Sequence, residues 1–145
     1  MDTLDASRHI SLVDRFYRRL WNDNARELAP SLLHPDLSFR GAIGLEKKGI
    51  DGFLSYMDTM QATFPDFDTE VVSLSYGQGP QVISRQIYRG THMGAFHEVP
   101  ATGRQVEYAG VGFFSFEDGL IHKVWVLGDL LAVYRQLGWR LAPGA

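Results

Sequence analysis

A histidine near the middle of the chain has the spacing expected of a residue that points into a binding site. His92 follows Tyr88 and Gly90 at alternate positions of a predicted strand, and alternate side chains of a strand share one face of the sheet. An imidazole that faces a cavity can hold a carbonyl oxygen or tune a nearby carboxyl group. A structural interpretation stays open, because a single histidine also often completes a hydrogen bond within a packed interior.

Large apolar side chains recur along the chain and could line a pocket for a flat polycyclic or fatty ligand. Ligand pockets are mainly apolar, with a few polar groups that point inward. We expect about two or three of these side chains to face a ligand and the others to fill the core. The candidate set is Tyr17, Trp21, Phe39, Phe53, Met57, Tyr88, Phe114 and Trp125.

Other imidazole and guanidinium groups have positions that indicate structural roles. His34 precedes a proline and is predicted to be structural, while His97 and His122 are predicted at the surface or on the outer face of the sheet. Arg85 and Arg89 alternate with the inward positions of their strand, so we expect them to point outward, to a dimer surface or to acidic neighbours.

The sequence lacks the common motifs for metals, nucleotides and activated serine nucleophiles. It contains no His-x-x-x-His pair, no phosphate loop, no dinucleotide-binding glycine pattern and no Gly-x-Ser-x-Gly motif. Cysteine is absent as well, which excludes disulfides, thiolate nucleophiles and sulfur-ligated metals. We therefore predict no metal site from these spacings, while ligands distant in sequence that converge in the fold stay an open alternative.

The elements that must position these residues follow from the period of the apolar side chains. Apolar residues at helical spacing predict helices over 5–21, 25–33, 49–64 and 129–138. Beyond Pro65 the period becomes strand-like and predicts strands over 67–76, 81–92, 104–116 and 120–127, with a short earlier strand around Leu37 and Phe39. Asp118-Gly119 is a strong signal for a hairpin between the last two. Helices followed by four long antiparallel strands predict an α+β domain, with the helices on one side of a curled sheet that leaves a cavity.

The composition of the chain is typical of folded, soluble domains. The 145 residues suit one domain with one core, which we assign to 1–145 with residues 1–4 and 139–145 as loose termini. A net charge of -3, spread along the chain, makes nucleic acid an improbable partner. No stretch is apolar enough to span a membrane and no signal peptide is recognisable, so we expect a cytoplasmic protein.

The C-terminal half carries four ordered motifs: RGTHMG at 89–94, PATG at 100–103, FEDGLI at 116–121 and WVLGDL at 125–130. Together with HPD at 34–36 and the helices upstream, they closely resemble the SnoaL-like polyketide cyclases over nearly the whole chain. The resemblance implies a cone-shaped, half-open barrel of the nuclear transport factor 2-like type, shared with ketosteroid isomerase, and a homodimer. It also implies ring closure by intramolecular aldol chemistry without metal or cofactor.

The resemblance further implies that Asp129 is the acid and base of the reaction, with His92 assisting. One departure is Val124, since relatives often carry histidine just before the tryptophan. Catalysis requires desolvation to raise the pKa of Asp129, which Trp125, Leu127 and Leu130 could provide. The alternative is that Asp129 caps the final helix and stays ionised, which would lower its pKa.

Three functions are thus left open by the sequence. The first is a cofactor-independent cyclase or isomerase that acts on an enolisable, hydrophobic, polycyclic substrate. The second is a binding module of the same fold without catalysis. The third, an epoxide hydrolase, needs an Asp-Arg-Asp cluster for which the sequence has no convincing equivalent.

Overall fold

The N-terminal third of the protein is mainly helical. The computed structural model describes residues 3–144. Helix α1 (Thr3–Arg15) continues directly as a π-helix (Phe16–Asn22), whose buried side chains Phe16, Tyr17, Leu20 and Trp21 extend the apolar stripe predicted from the sequence. The predicted second helix is shorter than expected. It consists of a 3-10 turn (Arg26–Leu28) and α2 (Ala29–Leu32), and the chain then becomes extended.

Six strands and two further helices complete the fold. The strands are β1 (Leu33–Arg40), β2 (Glu46–Lys48), β3 (Asp68–Gly77), β4 (Gln81–Thr91), β5 (Gln105–Glu117) and β6 (Leu120–Gly128). Helix α3 (Gly49–Thr63) lies between β2 and β3, and α4 (Leu130–Gln136) follows β6. The four long strands lie within one or two residues of their predicted bounds, whereas β2, with three residues, was not predicted.

The strands form one sheet in the order β2-β1-β6-β5-β4-β3, which is curved and unclosed. All neighbouring pairs are antiparallel except β1 and β6, which run parallel. The N-terminal helices and α3 pack on the sheet with one continuous apolar core between them. The predicted class, an α+β protein with a half-open barrel of mostly antiparallel strands, is confirmed.

Alternation along β4 follows the predicted pattern. Ser84, Gln86 and Tyr88 are buried on the inner face, while Arg85 is exposed. Arg89 lies on the outer face, where it binds Glu70 at 2.8 Å and Glu107 at 2.9 Å. The predicted outward orientation of both arginines is therefore confirmed.

Alternation along β6 is the reverse of the prediction. Trp125 and Leu127 are 45% and 53% exposed, whereas Val124 and Val126 are buried. The cause is the register with β5, in which the fully buried Phe114 lies opposite Val124. The exposed Lys123 alternates with Trp125 and Leu127 and marks their face as the outer one, a contrast that the prediction of an inward Trp125 did not use.

The chain ends differ in structure. Residues 3 and 4 belong to α1, and residues 139–144 form neither helix nor strand. Residues 1, 2 and 145, which the prediction of loose termini includes, lie outside the described residues. The assignment of a single domain over 1–145 stays a prediction.

Candidate functional site

A small cavity of about 20 Å³ lies between the helices and the inner face of the sheet. Four of the eight predicted binding residues line it, namely Tyr17, Trp21, Phe39 and Tyr88. Its other lining residues are Phe16, Ala42, Tyr56, Met60, Phe67, Tyr108 and Val126. This volume holds about one water molecule and is far below that of small-molecule pockets, so a larger ligand requires the wall side chains to move apart.

The other four predicted binding residues lie elsewhere. Phe53, Met57 and Phe114 are fully buried core residues that do not line the cavity. Trp125 was predicted to face the interior and this is wrong, because the register of β6 turns it outward, where the Arg40 guanidinium lies 4.8 Å from its ring. The two groups form a cation–π contact on the outer face of the sheet.

Tyrosine is the dominant polar residue of the cavity. Tyr56 and Tyr108, each 3% exposed, join Tyr17 and Tyr88 in its wall and were not singled out from the sequence. Their signal was periodicity, because Tyr56 lies between Phe53 and Met60 on one helical face, and Tyr108 alternates with other inward residues of β5. Tyrosine at such a position is also read as ordinary core, so spacing alone did not distinguish it.

Hydrogen bonds orient two of the four phenol groups. The Tyr17 hydroxyl bonds to Ser84 Oγ at 3.1 Å, and Gln86 Nε2 donates to the Tyr88 hydroxyl at 2.9 Å. The Tyr56 oxygen lies near the backbone of Ile43 and Ala42, which limits the rise of the pKa of Tyr56.

Burial keeps all four phenols protonated. It raises the pKa of Tyr17 and Tyr56 and raises the pKa of Tyr88 and Tyr108 well above the ordinary value, since a phenolate is costly in an apolar interior. The groups are also close enough for the ionisation of one to oppose that of its neighbours, as for Tyr56 and Tyr108. At neutral pH the cavity therefore presents neutral O–H donors.

Several buried polar atoms on the inner face have no hydrogen-bond partner among residues 3–144. They are Thr69 Oγ1, Gln86 Oε1, His92 Nε2 and the Tyr108 hydroxyl. Most buried polar atoms in proteins are hydrogen bonded, and buried water is a common partner of such atoms.

His92 directly follows β4 and is fully buried beside the ring of Phe64, as its alternation with Tyr88 and Gly90 predicts. Its Nδ1 accepts a hydrogen bond from the Thr102 amide at 3.2 Å and lies 2.9 Å from Thr102 Oγ1. Burial lowers the pKa of His92, which favours the neutral ring. Since Nδ1 accepts, the proton of the neutral ring is on Nε2, and His92 is a donor rather than a free base.

Asp129 is exposed and caps α4. Its Oδ1 accepts a hydrogen bond from the Ala132 amide at 3.2 Å. The predicted dry setting is wrong, because Trp125 and Leu127 face solvent on the outer side of the sheet. Asp129 and His92 are not brought together by a hydrogen bond among the described residues, and neither lines the cavity.

The other histidines have structural contacts. His34 Nε2 lies 3.1 Å from Asp118, and its Nδ1 accepts from the Asp36 amide at 3.0 Å. His97 is exposed as predicted, whereas His122 is half-buried and lies 3.2 Å from Glu117. Across residues 3–144, no three histidine or carboxylate side chains are arranged to hold a metal ion, and no helix is long and apolar enough to cross a membrane.

Comparison with known proteins identifies the family of this chain. The sequence pattern of the SnoaL-like polyketide cyclases matches residues 11–137. The chain belongs to the SnoaL-like polyketide cyclase family. The resemblance noted in its motifs is thereby confirmed, and the fold agrees with the nuclear transport factor 2-like structures of this family.

Individual relatives extend over nearly the whole chain. Aklanonic acid methyl ester cyclase DauD of Streptomyces sp. (strain C5) is 28% identical over 150 residues, which cover 94% of this chain and 91% of that protein. TsrD of Streptomyces laurentii is 25% identical with a TM-score of 0.79, covering 95% of this chain and 98% of TsrD. A SnoaL-like protein of Jannaschia sp. CCS1 is 22% identical with a TM-score of 0.81, covering 95% and 94% of the two chains, and shares the fold.

Proposed function

We propose that this SnoaL-like protein catalyses a cofactor-independent ring closure or isomerisation of an enolisable, hydrophobic, polycyclic ketone in the tyrosine-lined cavity. The observation that carries the proposal is the Tyr56 phenol, which lines the cavity and which burial keeps protonated, so that it can donate to a ligand. Enolisation and aldol addition both place negative charge on a carbonyl oxygen, and a fixed donor in a dry site stabilises that charge.

The proposed mechanism relies on hydrogen-bond donation rather than on a carboxylate within the cavity. The substrate carbonyl accepts from Tyr56, and its carbon acid loses a proton to give the enolate. The enolate carbon then attacks a second carbonyl of the same molecule, and that oxygen is protonated to a hydroxyl. The polar side-chain groups among the cavity-lining residues are the tyrosine hydroxyls and the Trp21 indole, so the cavity offers donors and no carboxylate.

The roles predicted for Asp129 and His92 are proposals that we consider one residue at a time. Asp129 as acid and base would require its carboxylate to reach the substrate from the solvent-exposed start of α4. His92 suits the task of holding a substrate carbonyl through Nε2–H better than that of a base, because Nδ1 already accepts from Thr102. In this scheme a solvent water molecule accepts the proton of a carbon acid between two carbonyls while Tyr56 stabilises the enolate, and the hydronium formed returns a proton to the aldol alkoxide, so that the proton balance closes.

A cyclisation assay tests the function directly. The methyl ester named for the relative DauD is a suitable first substrate, and product is measured by liquid chromatography with mass detection. We expect turnover by the wild type and a loss on the order of 100-fold in Tyr56→Phe, the effect of removing one oxyanion donor. Tyr134→Phe is the matched control, since Tyr134 contacts Phe96 and lies outside the cavity wall.

To avoid dependence on one substrate, α-proton exchange of 2-tetralone in D₂O is followed by NMR. Accelerated exchange that falls in Tyr56→Phe supports the proposal. Equal rates with and without protein for both compounds would overturn it. Asp129→Asn separates the two mechanisms, because donor catalysis leaves its rate unchanged, whereas catalysis by the Asp129 carboxylate predicts loss of turnover.

A binding module without catalysis is the second candidate, favoured by the missing interior carboxylate. Saturable ligand binding with no exchange and no product would identify it. The epoxide hydrolase alternative loses support, since no acidic or arginine side chain is among the cavity-lining residues.

A homodimer is the partner we propose. Val111, Trp125 and Leu127 are 36%, 45% and 53% exposed, and Val111 lies opposite Leu127 on the outer face. Adjacent exposed apolar side chains of this kind mark association sites. Sedimentation velocity should give a dimer that Leu127→Lys weakens, and a wild-type monomer at high concentration would contradict it. A cytoplasmic location stays a prediction.

A further inference from the structure

The outer face of the sheet carries a groove of about 550 Å³ over β2, β1, β6 and β5. This volume is within the range of small-molecule sites, unlike that of the closed interior cavity. All three lysines of the chain line the groove, namely Lys47, Lys48 and Lys123. Lys123 is distant from the other two in the sequence, so the fold is what brings the three together.

The groove has an excess of positive charge. Arg40 also lines it, lies over the Trp125 ring and donates to the Val126 carbonyl. Neither Arg40 nor any of the three lysines forms an ion pair with a carboxylate among residues 3–144. Glu46 is the single acidic residue among the described residues of the lining, so four cations face one carboxylate in a chain with a net charge of -3. Such a local field attracts anions.

Strand register places two of the lysines in one row with two hydroxyl groups. Ser38 of β1 lies directly opposite Lys48 of β2 and Lys123 of β6, and Ser115 of β5 lies opposite Lys123 on the other side. Lys48 Nζ is 3.4 Å from Ser38 Oγ. Because directly opposite side chains share a face and are about 5 Å apart, this row offers ammonium and hydroxyl donors to one anionic group.

The adjacent row supplies an apolar surface. Arg40, Trp125 and Phe113 lie opposite one another on β1, β6 and β5, two residues along each strand from the row of Lys123. Trp125 is 45% exposed, and its ring centroid is 5.8 Å from that of Phe113. At about 3.4 Å per residue the two rows are roughly 7 Å apart. A ligand that fits both rows has an anionic head and a planar apolar body at that separation.

We propose that this groove binds phosphate monoesters of planar apolar alcohols, with the phosphate between Lys48 and Lys123 and the apolar body against Trp125 and Phe113. A phosphate suits the groove better than a carboxylate, because at neutral pH it carries nearly two negative charges and three acceptor oxygens. An exposed site also lets the head keep part of its hydration, so no charge is buried without a partner.

The groove is independent of the proposed function, because its phosphate contacts lie on the opposite face of the sheet from the tyrosine-lined cavity. It also differs from the surface proposed for dimerisation. The Val111–Leu127 pair lies in the next row beyond Trp125, away from Lys123. Trp125 therefore borders both surfaces, while the lysine row belongs to the groove alone.

Four compounds test the proposal: 2-naphthyl phosphate, 2-naphthoate, 2-naphthol and inorganic phosphate. Binding is followed by NMR through the tryptophan indole signals and the backbone amide of Lys123. We expect naphthyl phosphate to shift the Trp125 and Lys123 signals saturably, at a Kd about tenfold below those of inorganic phosphate and naphthol, since each of these lacks one of the two contacts. The naphthoate should bind less tightly than the phosphate ester, and added salt should weaken the binding of both.

Variants assign the two contacts. Lys48→Gln and Lys123→Gln should each raise the Kd of naphthyl phosphate about fivefold, as the loss of one exposed charge contact predicts, and leave naphthol binding unchanged. Trp125→Leu should remove the advantage of naphthyl phosphate over inorganic phosphate. Arg85→Gln is the matched control, because it removes one exposed cation from the same face of the sheet outside the groove and should leave the Kd nearly unchanged. All four positions are exposed, so the variants should fold.

The other outcomes overturn the proposal. Equal affinity for naphthyl phosphate and naphthol, or a Kd unaffected by both lysine substitutions, would exclude the lysine row as the anion site. Naphthoate that binds as tightly as the phosphate ester would exclude the preference for phosphate. Shifts confined to Trp21, which lines the cavity, would place the ligand inside the protein instead.

The same measurements keep this site apart from the proposed function. Phosphate-ester binding by a protein that gives neither product nor proton exchange leaves the groove standing and removes the catalytic role. Turnover by a protein that does not bind naphthyl phosphate removes the groove alone.

Discussion

The carboxylate of Asp129 and the amide of Ala132 are joined by a hydrogen bond of 3.2 Å at the exposed start of α4. An aspartate at this position satisfies one of the free N–H groups of the first helical turn, and its negative charge is favourable at the positive end of the helix. The same residue occupies the position that the family resemblance assigns to acid–base catalysis.

Capping predicts a specific order of stability at Asp129. Asp129→Ala should lower the free energy of unfolding by about 1 kcal/mol, whereas Asp129→Asn should be nearly neutral, because asparagine caps helices as well as aspartate does. Urea denaturation followed by circular dichroism measures both. Equal losses in the two variants would contradict the capping role and indicate a requirement for the charge.

The bond between Tyr17 and Ser84 should be detectable by a double-mutant cycle. Tyr17→Phe removes the phenol oxygen and leaves Ser84 Oγ buried without this partner, so we expect a loss of about 1 to 3 kcal/mol. Ser84→Ala in the Tyr17→Phe background should cost little more, because both partners are then absent. Additive losses from the two single variants would show that the pair does not interact.

Because Gly41 has no side chain, it leaves the space that the Tyr56 ring occupies. A Cβ at residue 41 would overlap the ring and hydroxyl of Tyr56, so Gly41→Ala should displace the ring and cost about 1 to 3 kcal/mol. Because Tyr56 is the proposed donor, the variant should also slow turnover. Gly144→Ala is the control, since nothing lies within 4 Å of a Cβ there. A Gly41→Ala variant as stable and as active as wild type would show that the ring position is unimportant.

His92 should make stability depend on pH. Burial lowers its pKa below the ordinary value of 6.5, so near that pH the unfolded chain binds a proton that the folded protein does not. The stabilising contribution is therefore complete above pH 6.5 and declines as the pH falls toward the lowered pKa. His92→Asn should flatten this decline in urea denaturation between pH 7.5 and the folded-state pKa.

Two other histidines, His97 and His9, affect how the pH dependence of stability is interpreted. His97→Asn is the matched control, because His97 is exposed and its positive φ of 50° suits asparagine. The pKa of His9 is also lowered by burial, so a residual slope in His92→Asn is expected. A slope identical to that of the wild type would show that His92 does not titrate between the folded and unfolded states.

The long strands and the α+β class were predictable because glycine-rich turns and strand-like periods bracket them. The inward face of β4 was predictable too, since Arg85 and Arg89 contrast with their neighbours. On β6 the charged Lys123 gives the same contrast and shares the outer face with Trp125, but Trp125 was predicted inward as one of the large apolar side chains. The dry setting predicted for Asp129 was wrong because it relied on Trp125 and Leu127 facing inward.

The cavity itself was only partly predictable. Aromatic residues indicated a pocket, but Tyr56 and Tyr108 have the spacing of core residues and reveal their role only through their surroundings. Amides of a distant loop approach Tyr56, and the Tyr108 hydroxyl stays without a partner among residues 3–144. Such relationships arise from tertiary packing, and no short-range pattern in the sequence carries them.

The side chain of Gln136 in α4 forms hydrogen bonds with the backbone of β5 at a position that β6 does not reach. Its side chain accepts from the Glu107 amide at 2.9 Å and donates to the Glu107 carbonyl at 2.7 Å. Glu107 precedes Tyr108, so the final helix is fastened to the peptide adjoining a wall of the cavity. A change in the tilt of α4 would therefore shift the backbone next to Tyr108, so the position of this surface helix and the shape of the cavity wall are linked.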